Sequence, residues 1–164
     1  MEPVRANVAD AERIGVFLHE AWREAGPGGL GFTGATEETI NEVASKEFLR
    51  KRLTNPGVQM YIVQDAERVL ALASTRRINA RSVELSGMMV LESLTGQGLG
   101  TALVRKALNE IHKAGFHKVV VKTEAINRRA VQFYKKMGLK EVGRGRERVE
   151  ETRVDIVILE KIFQ

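Results

Sequence analysis

The sequence predicts a mixed α/β or α+β fold, one sheet with helices on its faces, in a single domain. Three observations carry this expectation. The middle of the chain runs strand, glycine loop, helix, strand, helix, an order that places helices against a sheet. Short β-rich runs before and after it read as hairpins. At 164 residues, a chain of this size buries roughly two thirds of its unfolded surface, so a core forms without metal or disulfide staples.

The elements follow in order. After Asp10, an expected cap, Ile14, Phe17, Leu18, Ala21 and Trp22 recur at helical spacing and predict a helix over about residues 10–25. Residues 26–36 contain Gly-Pro-Gly-Gly and read as a loop. One further helix is expected from Thr36, helped by Glu37 and Glu38 at its positive end, through Val43, Phe48 and Leu49 to the stop at Asn55-Pro56-Gly57. Residues 58–64 and 69–74 form a predicted hairpin across Asp65-Ala66-Glu67-Arg68. Residues 82–90 form the next strand, in which Gly87 signals a bulge or a close backbone approach. Leu99, Leu103, Val104, Ala107, Leu108 and Ile111 make one helical stripe ending near Gly115. A valine-rich strand at 118–123, a helix at 127–137 stopped by Gly138, and two late antiparallel segments at 139–146 and 152–162 complete the chain.

Composition narrows the chemistry. There is no cysteine, which excludes disulfides, thiolate metal sites and an acyl-cysteine intermediate. His19, His112 and His117 have no metal-ligand spacing with carboxylates, and no metal is expected. The net charge of +5 and pI near 9.7 would suit a polyanionic ligand. Yet the basic residues are interspersed with acids and only 5% of residues are aromatic, so nucleic acid is not an expected partner. The first residues lack the pattern of a signal peptide and no apolar run has membrane-span length. The expectation is a cytoplasmic protein without a membrane partner.

The chemistry centres on Thr95-Gly96-Gln97-Gly98-Leu99-Gly100-Thr101. Glycines at alternate positions let the backbone turn tightly just before a helix, whose first N–H groups then converge on an anion. A P-loop would need Lys-Ser or Lys-Thr after its last glycine, and Gly100 is followed by Thr101-Ala102. A dinucleotide fingerprint needs G-x-G-x-x-G and a later acid; here the glycines are evenly spaced and Glu124 comes late.

The second element is Asn127-Arg128-Arg129-Ala130-Val131-Gln132-Phe133-Tyr134-Lys135-Lys136-Met137-Gly138-Leu139. With the glycine loop, it resembles the GNAT superfamily, the Gcn5-related N-acetyltransferases. The loop is similar to the family's R/Q-x-x-G-x-G/A motif, and the helix to N-x-x-A-x-x-F-Y-x-K-x-G-F. Two positions depart from the pattern: Glu92 stands in place of a proline and Thr95 in place of Arg or Gln. Gln97 or a neighbouring arginine is the expected substitute.

The resemblance implies a mostly antiparallel sheet, splayed at the strand that meets acetyl-CoA, and direct acetyl transfer from acetyl-CoA to an amine. It implies that Met88, Met89 and Val90 line the pantetheine and carbonyl, that residues 95–101 hold the pyrophosphate, and that Asn127 serves the cofactor arm, while its type also suits a helix cap. It implies Tyr134 as general acid beside the sulfur, although Ala130, Phe133, Tyr134 and Met137 share a helical face that also suits the core. Glu84 is either the general base or the cross-strand partner of Arg76 or Arg77. Trp22, Glu24 and Phe32 flank the loop expected to shape the acceptor site, where Glu24, Glu37 and Glu38 would suit a cationic amine of a small molecule or peptide. A homodimer is compatible with this reading. The alternative is an inactive acyl-CoA sensor of the same fold.

Overall fold

In the computed structural model, residues 1–26, 35–149 and 151–164 are described. The chain runs β1 (Val4–Arg5), a 3-10 turn at Val8–Asp10, α1 (Ala11–Ala25), α2 (Glu37–Val43), α3 (Lys46–Thr54), β2 (Val58–Asp65), β3 (Arg68–Arg77) and β4 (Ser82–Val90). It continues through a 3-10 turn at Glu92–Leu94, α4 (Leu99–Lys113), β5 (Lys118–Glu124), α5 (Arg128–Lys136), β6 (Lys140–Val149) and β7 (Thr152–Ile162). The strands form one sheet in the order β1-β2-β3-β4-β5-β7-β6. Every neighbouring pair is antiparallel except β4 and β5.

Two expectations at the amino-terminal end are corrected. Asp10 makes no side-chain cap on α1; its carboxylate instead accepts the Asn7 N–H at 2.8 Å and pairs with Arg13. The single helix expected between Thr36 and Asn55 is two helices. Thr36 caps α2 through the Thr39 N–H, and Ser45 opens α3 by accepting the Phe48 N–H at 3.2 Å. The break is where α1 crosses: a Cβ on Gly15 would lie 2.4 Å from the Ala44 carbonyl oxygen. A second cap and a close helix contact therefore outweigh helical continuity.

The ladders assign the faces, because directly paired residues point the same way. Val83, Leu85, Met88 and Val90 of β4 share a face with Ala71, Ala73 and Thr75 of β3. The α4 helix packs there: the space beside Gly100 is bounded by the Met88 thioether and the Phe133 ring, 3.6 and 3.7 Å from a built Cβ. Glu84, Gly87 and Met89 share the opposite face with Ser74 and Leu72. That face carries α3, whose Arg52 guanidinium donates to the Ser74 hydroxyl at 2.9 Å, and α1 packs on α3. Helices thus cover both faces. The core between them includes Ile14, Phe17, Leu49, Ile62, Leu103, Val104, Val119 and Leu159, all at most 2% exposed.

Candidate active site

The site is built from a bulge and a wedge. On β4 the register jumps from Leu85 opposite Thr75 to Gly87 opposite Ser74, which leaves Ser86 without a partner. The bulge expected at Gly87 is present, one residue wide. It also reverses facing: Glu84 and Met88 would share a face in a regular strand, and across the bulge they point to opposite faces.

The parallel pairing of β4 with β5 covers only Ser82–Leu85 against Lys118–Val121. Beyond it, β4 continues to Val90 and β5 to Glu124 as separate strands, so the sheet is splayed as expected. The Leu91 N–H donates to the Leu70 carbonyl at 3.2 Å. Antiparallel alternation then directs the amides of Gly87 and Met89 to β3 and turns those of Met88 and Val90 into the wedge. The wedge offers an open strand edge to a ligand that carries amides of its own.

At the open end of the wedge lies the glycine loop. Gly96 and Gly98 hold φ of 87° and 84°, left-handed values that side-chain-bearing residues adopt at a cost. A Cβ on either would meet no atom of the described residues within 4 Å beyond its chain neighbours. Gly98 occupies the α4 cap position without a side-chain cap, and no acid stands in the first turn. The first bond of α4 runs from the Ala102 N–H to the Gly98 carbonyl at 3.0 Å, which leaves the amides of Leu99, Gly100 and Thr101 outside the ladder. An uncapped helix N-terminus beside two such glycines is an arrangement fitted to a phosphate. The Thr95 hydroxyl, at the position expected to hold Arg or Gln, is turned back to the Leu91 carbonyl at 3.5 Å.

Asn127 caps α5, its Oδ1 accepting the Ala130 N–H at 3.1 Å. Phe133 reaches the first turn of α4 and meets the Tyr134 ring edge-on at 5.2 Å between centroids. Tyr134 is 6% exposed and burial pushes its phenol up to about 12. Its hydroxyl has no hydrogen-bond partner among the described residues. Glu84 is buried and its Oε1 accepts the Arg76 guanidinium at 2.6 Å. The cross-strand ion pair anticipated from the sequence therefore exists, and Oε2 stays free of donors among the described residues.

Glu24, expected near the acceptor site, is hydrogen-bonded to Ser93. Its carboxylate accepts the Ser93 N–H at 2.9 Å and the Ser93 hydroxyl at 3.3 Å, tying the end of α1 to the turn before the glycine loop. Trp22 packs against the core with its indole N–H buried and unpaired among the described residues. Glu37 and Glu38 are exposed in the first turn of α2. Phe32 lies outside the described residues. Sequence reasoning missed Ser93 and Arg52, since a lone serine in a turn and one cation in Arg50-Lys51-Arg52 carry no signal until the fold supplies their partners.

A model of the Acetyltransferase (GNAT) family matches residues 16–139. The chain belongs to the GNAT acetyltransferases. Its fold is shared by solved structures of low sequence identity. One is smu.2055 from Streptococcus mutans UA159, with 22% identity, 99% of each chain covered and a TM-score of 0.77. Another is the PaiA N-acetyltransferase from Thermoplasma acidophilum in complex with coenzyme A, with 20% identity, 99% and 98% coverage and a TM-score of 0.75. A third is the spermidine/spermine N-acetyltransferase SpeG from Vibrio cholerae in mutant forms, with 19% identity, 98% and 93% coverage and a TM-score of 0.70. No curated protein matches this GNAT chain in sequence. Among its described residues, no helix is long and apolar enough to cross a membrane, and no cluster of three metal-ligating side chains occurs.

Proposed function

We propose that this GNAT protein moves an acetyl group from acetyl-CoA directly to a primary amine of a small molecule or peptide. The observation that carries the reading is the wedge between β4 and β5, with unpaired β4 amides along one wall and the uncapped α4 terminus at its mouth. Coenzyme A supplies a pyrophosphate for the second and an amide-bearing arm for the first. The coenzyme A complex of PaiA supports this choice of ligand. Arg129, one helical turn before Phe133 on the same side of α5, is the cation that this reading assigns to the position lost at Thr95.

Three tasks follow. The amides of Met88 and Val90 face the wedge and stabilise charge on the thioester oxygen, a contribution typically worth about 2.7–4 kcal/mol per aimed donor. Glu84 lies on the other face of β4, where an amine would approach, and its free Oε2 takes the ammonium proton directly or through water. As the C–S bond breaks, Tyr134 gives its proton to the leaving sulfur and is reprotonated by the second proton that the acylated nitrogen sheds, directly or through water. A phenol near 12 is a weak acid toward an ordinary thiolate of about 8.5. In a dry pocket the same desolvation also raises the thiol, which narrows the gap between the two groups.

The test is coenzyme A release measured over a panel of primary amines, beside a direct coenzyme A titration. Release stimulated by an amine supports the transferase. Tight binding with no release from any amine replaces it with the acyl-CoA sensor.

A further inference from the structure

The face of the sheet that carries Glu84 also carries an open cleft of about 410 Å³, at the end of α3 and β3. Lys51, Arg52, Asn55, Arg76 and Arg77 line it, and among the described residues no carboxylate does. Three of the four cations have partners. Arg76 pairs with Glu84 at 2.6 Å, Arg77 donates to the Asn79 carbonyl at 3.2 Å and lies over the Phe116 ring, and Lys51 stands 3.7 Å from Glu47.

Arg52 differs. It is half-buried, and among the described residues its guanidinium meets no carboxylate, only the Ser74 hydroxyl. Burial, and then the neighbouring Arg76 charge, press it below its ordinary range. Glu84 therefore serves Arg76 alone, Arg52 beside it meets no carboxylate among the described residues, and its charge faces the cleft. A planar guanidinium with free N–H groups is suited to two-point binding of a carboxylate or phosphate.

The position of the cleft gives this charge a use. Ser74, the partner of Arg52, lies directly opposite Gly87 at the bulge, and Arg76 lies opposite Glu84. Arg76 follows Ser74 by two positions along β3, a rise of roughly 7 Å. The cleft thus adjoins the proposed base on the side from which the amine approaches.

We propose that the amine acceptor carries an oxyanion group, a carboxylate or a phosphate, several bonds from its amine, and that Arg52 binds that group. The inference rests on the transferase reading for the word acceptor. It disfavours simple polyamines, whose second ammonium would meet four cations, and it replaces the cationic acceptor suggested by Glu24, Glu37 and Glu38.

The experiment titrates the protein saturated with coenzyme A, in which no turnover occurs, with four amines. They are 5-aminopentanoate, 3-aminopropyl phosphate, pentylamine and 1,5-diaminopentane. The expected result is that at least one anionic amine binds tenfold or more tighter than the other two, and which one identifies the anion. Arg52→Gln is expected to remove that preference, and Arg52→Lys to keep part of it by retaining the charge without the planar fork. Equal binding of all four, undetectable binding of all four, preference for 1,5-diaminopentane, or an anion preference unchanged in Arg52→Gln overturns the inference. Should Arg52→Gln fail to fold, the ligand comparison in the unsubstituted protein and in Arg52→Lys decides. Coenzyme A release, measured separately with acetyl-CoA, judges the transferase: anion preference without release overturns that reading and leaves the anion site standing.

Discussion

The Glu24 carboxylate holds both donors of Ser93, the backbone N–H at 2.9 Å and the hydroxyl at 3.3 Å. It thereby fastens the end of α1 to the turn from which the glycine loop departs. Both donors are exposed, so their loss costs about 1 kcal/mol. Glu24→Ala is expected to lower the melting temperature by about 2–4 °C and to weaken coenzyme A binding. A raised KM for the amine with unchanged melting would assign Glu24 to the acceptor instead.

Gly98→Val tests the cradle. Its φ of 84° costs a side-chain-bearing residue about 1–2 kcal/mol, yet the added atoms meet no protein atom in the first shell around Cβ. The variant is expected to stay folded and to lose at least tenfold in coenzyme A affinity, because the branched side chain occupies the space that the amides face. Calorimetric titration beside a melting curve separates the two effects. An unaltered affinity would move the pyrophosphate elsewhere.

Tyr134→Phe removes one hydroxyl and little volume. If the phenol is the proton donor, turnover falls by about 10²- to 10⁴-fold while coenzyme A affinity changes little. Unchanged turnover would return Tyr134 to the core. The same phenol has a signature in stability. Burial raises Tyr134 to about 12 and, with Glu110 as a second cause, raises Tyr61; these are the only tyrosines in the sequence. Their folded values exceed the unfolded value of about 10, so the contribution is complete below pH 10 and is lost as pH rises through the folded values. Unfolding free energy should decline between pH 10 and 12, and less steeply in Tyr134→Phe.

Glu84→Gln preserves the shape of the side chain and an acceptor for Arg76. With Glu84 as base, kcat/KM at neutral pH is expected to fall by about 10²-fold. The deficit should shrink as pH rises and the amine loses its proton unaided. A parallel loss at every pH would mean that Glu84 serves only the ion pair.

Gly15→Ala concerns the fold alone. The new Cβ would lie 2.4 Å from the Ala44 carbonyl oxygen, so α1 must retreat from the α2–α3 junction. A destabilisation of about 1–3 kcal/mol is expected, read by chemical denaturation. No change would show that α1 shifts freely on α3.

Much of this was legible in the chain. The stripe from Leu99 to Ile111, the valine run of β5 and the stops at Gly115 and Gly138 are local patterns, and local patterns place helices and strands. Gly87 announced a bulge or a close approach, and Gly96 and Gly98 announced a tight turn, which the structure shows to be left-handed at both, a conformation glycine takes freely. The division of α2 from α3 was not legible, because its cause is the Ala44 carbonyl against Gly15, twenty-nine positions away in sequence and in contact only after packing.

The residue types at the site were determined by the sequence: a glycine cradle, an asparagine cap, a buried tyrosine and a glutamate on the central strand. Their partners were decided by tertiary structure. The Ser74–Gly87 register turned Glu84 and Met88 to opposite faces, Ser93 took the carboxylate of Glu24, and Arg52 came to rest beside Arg76 with no acid of its own among the described residues. The physical reason is range. Glycine conformations and helical stripes are governed by near neighbours, whereas ion pairs, burial and strand facing depend on residues brought together only when the sheet closes.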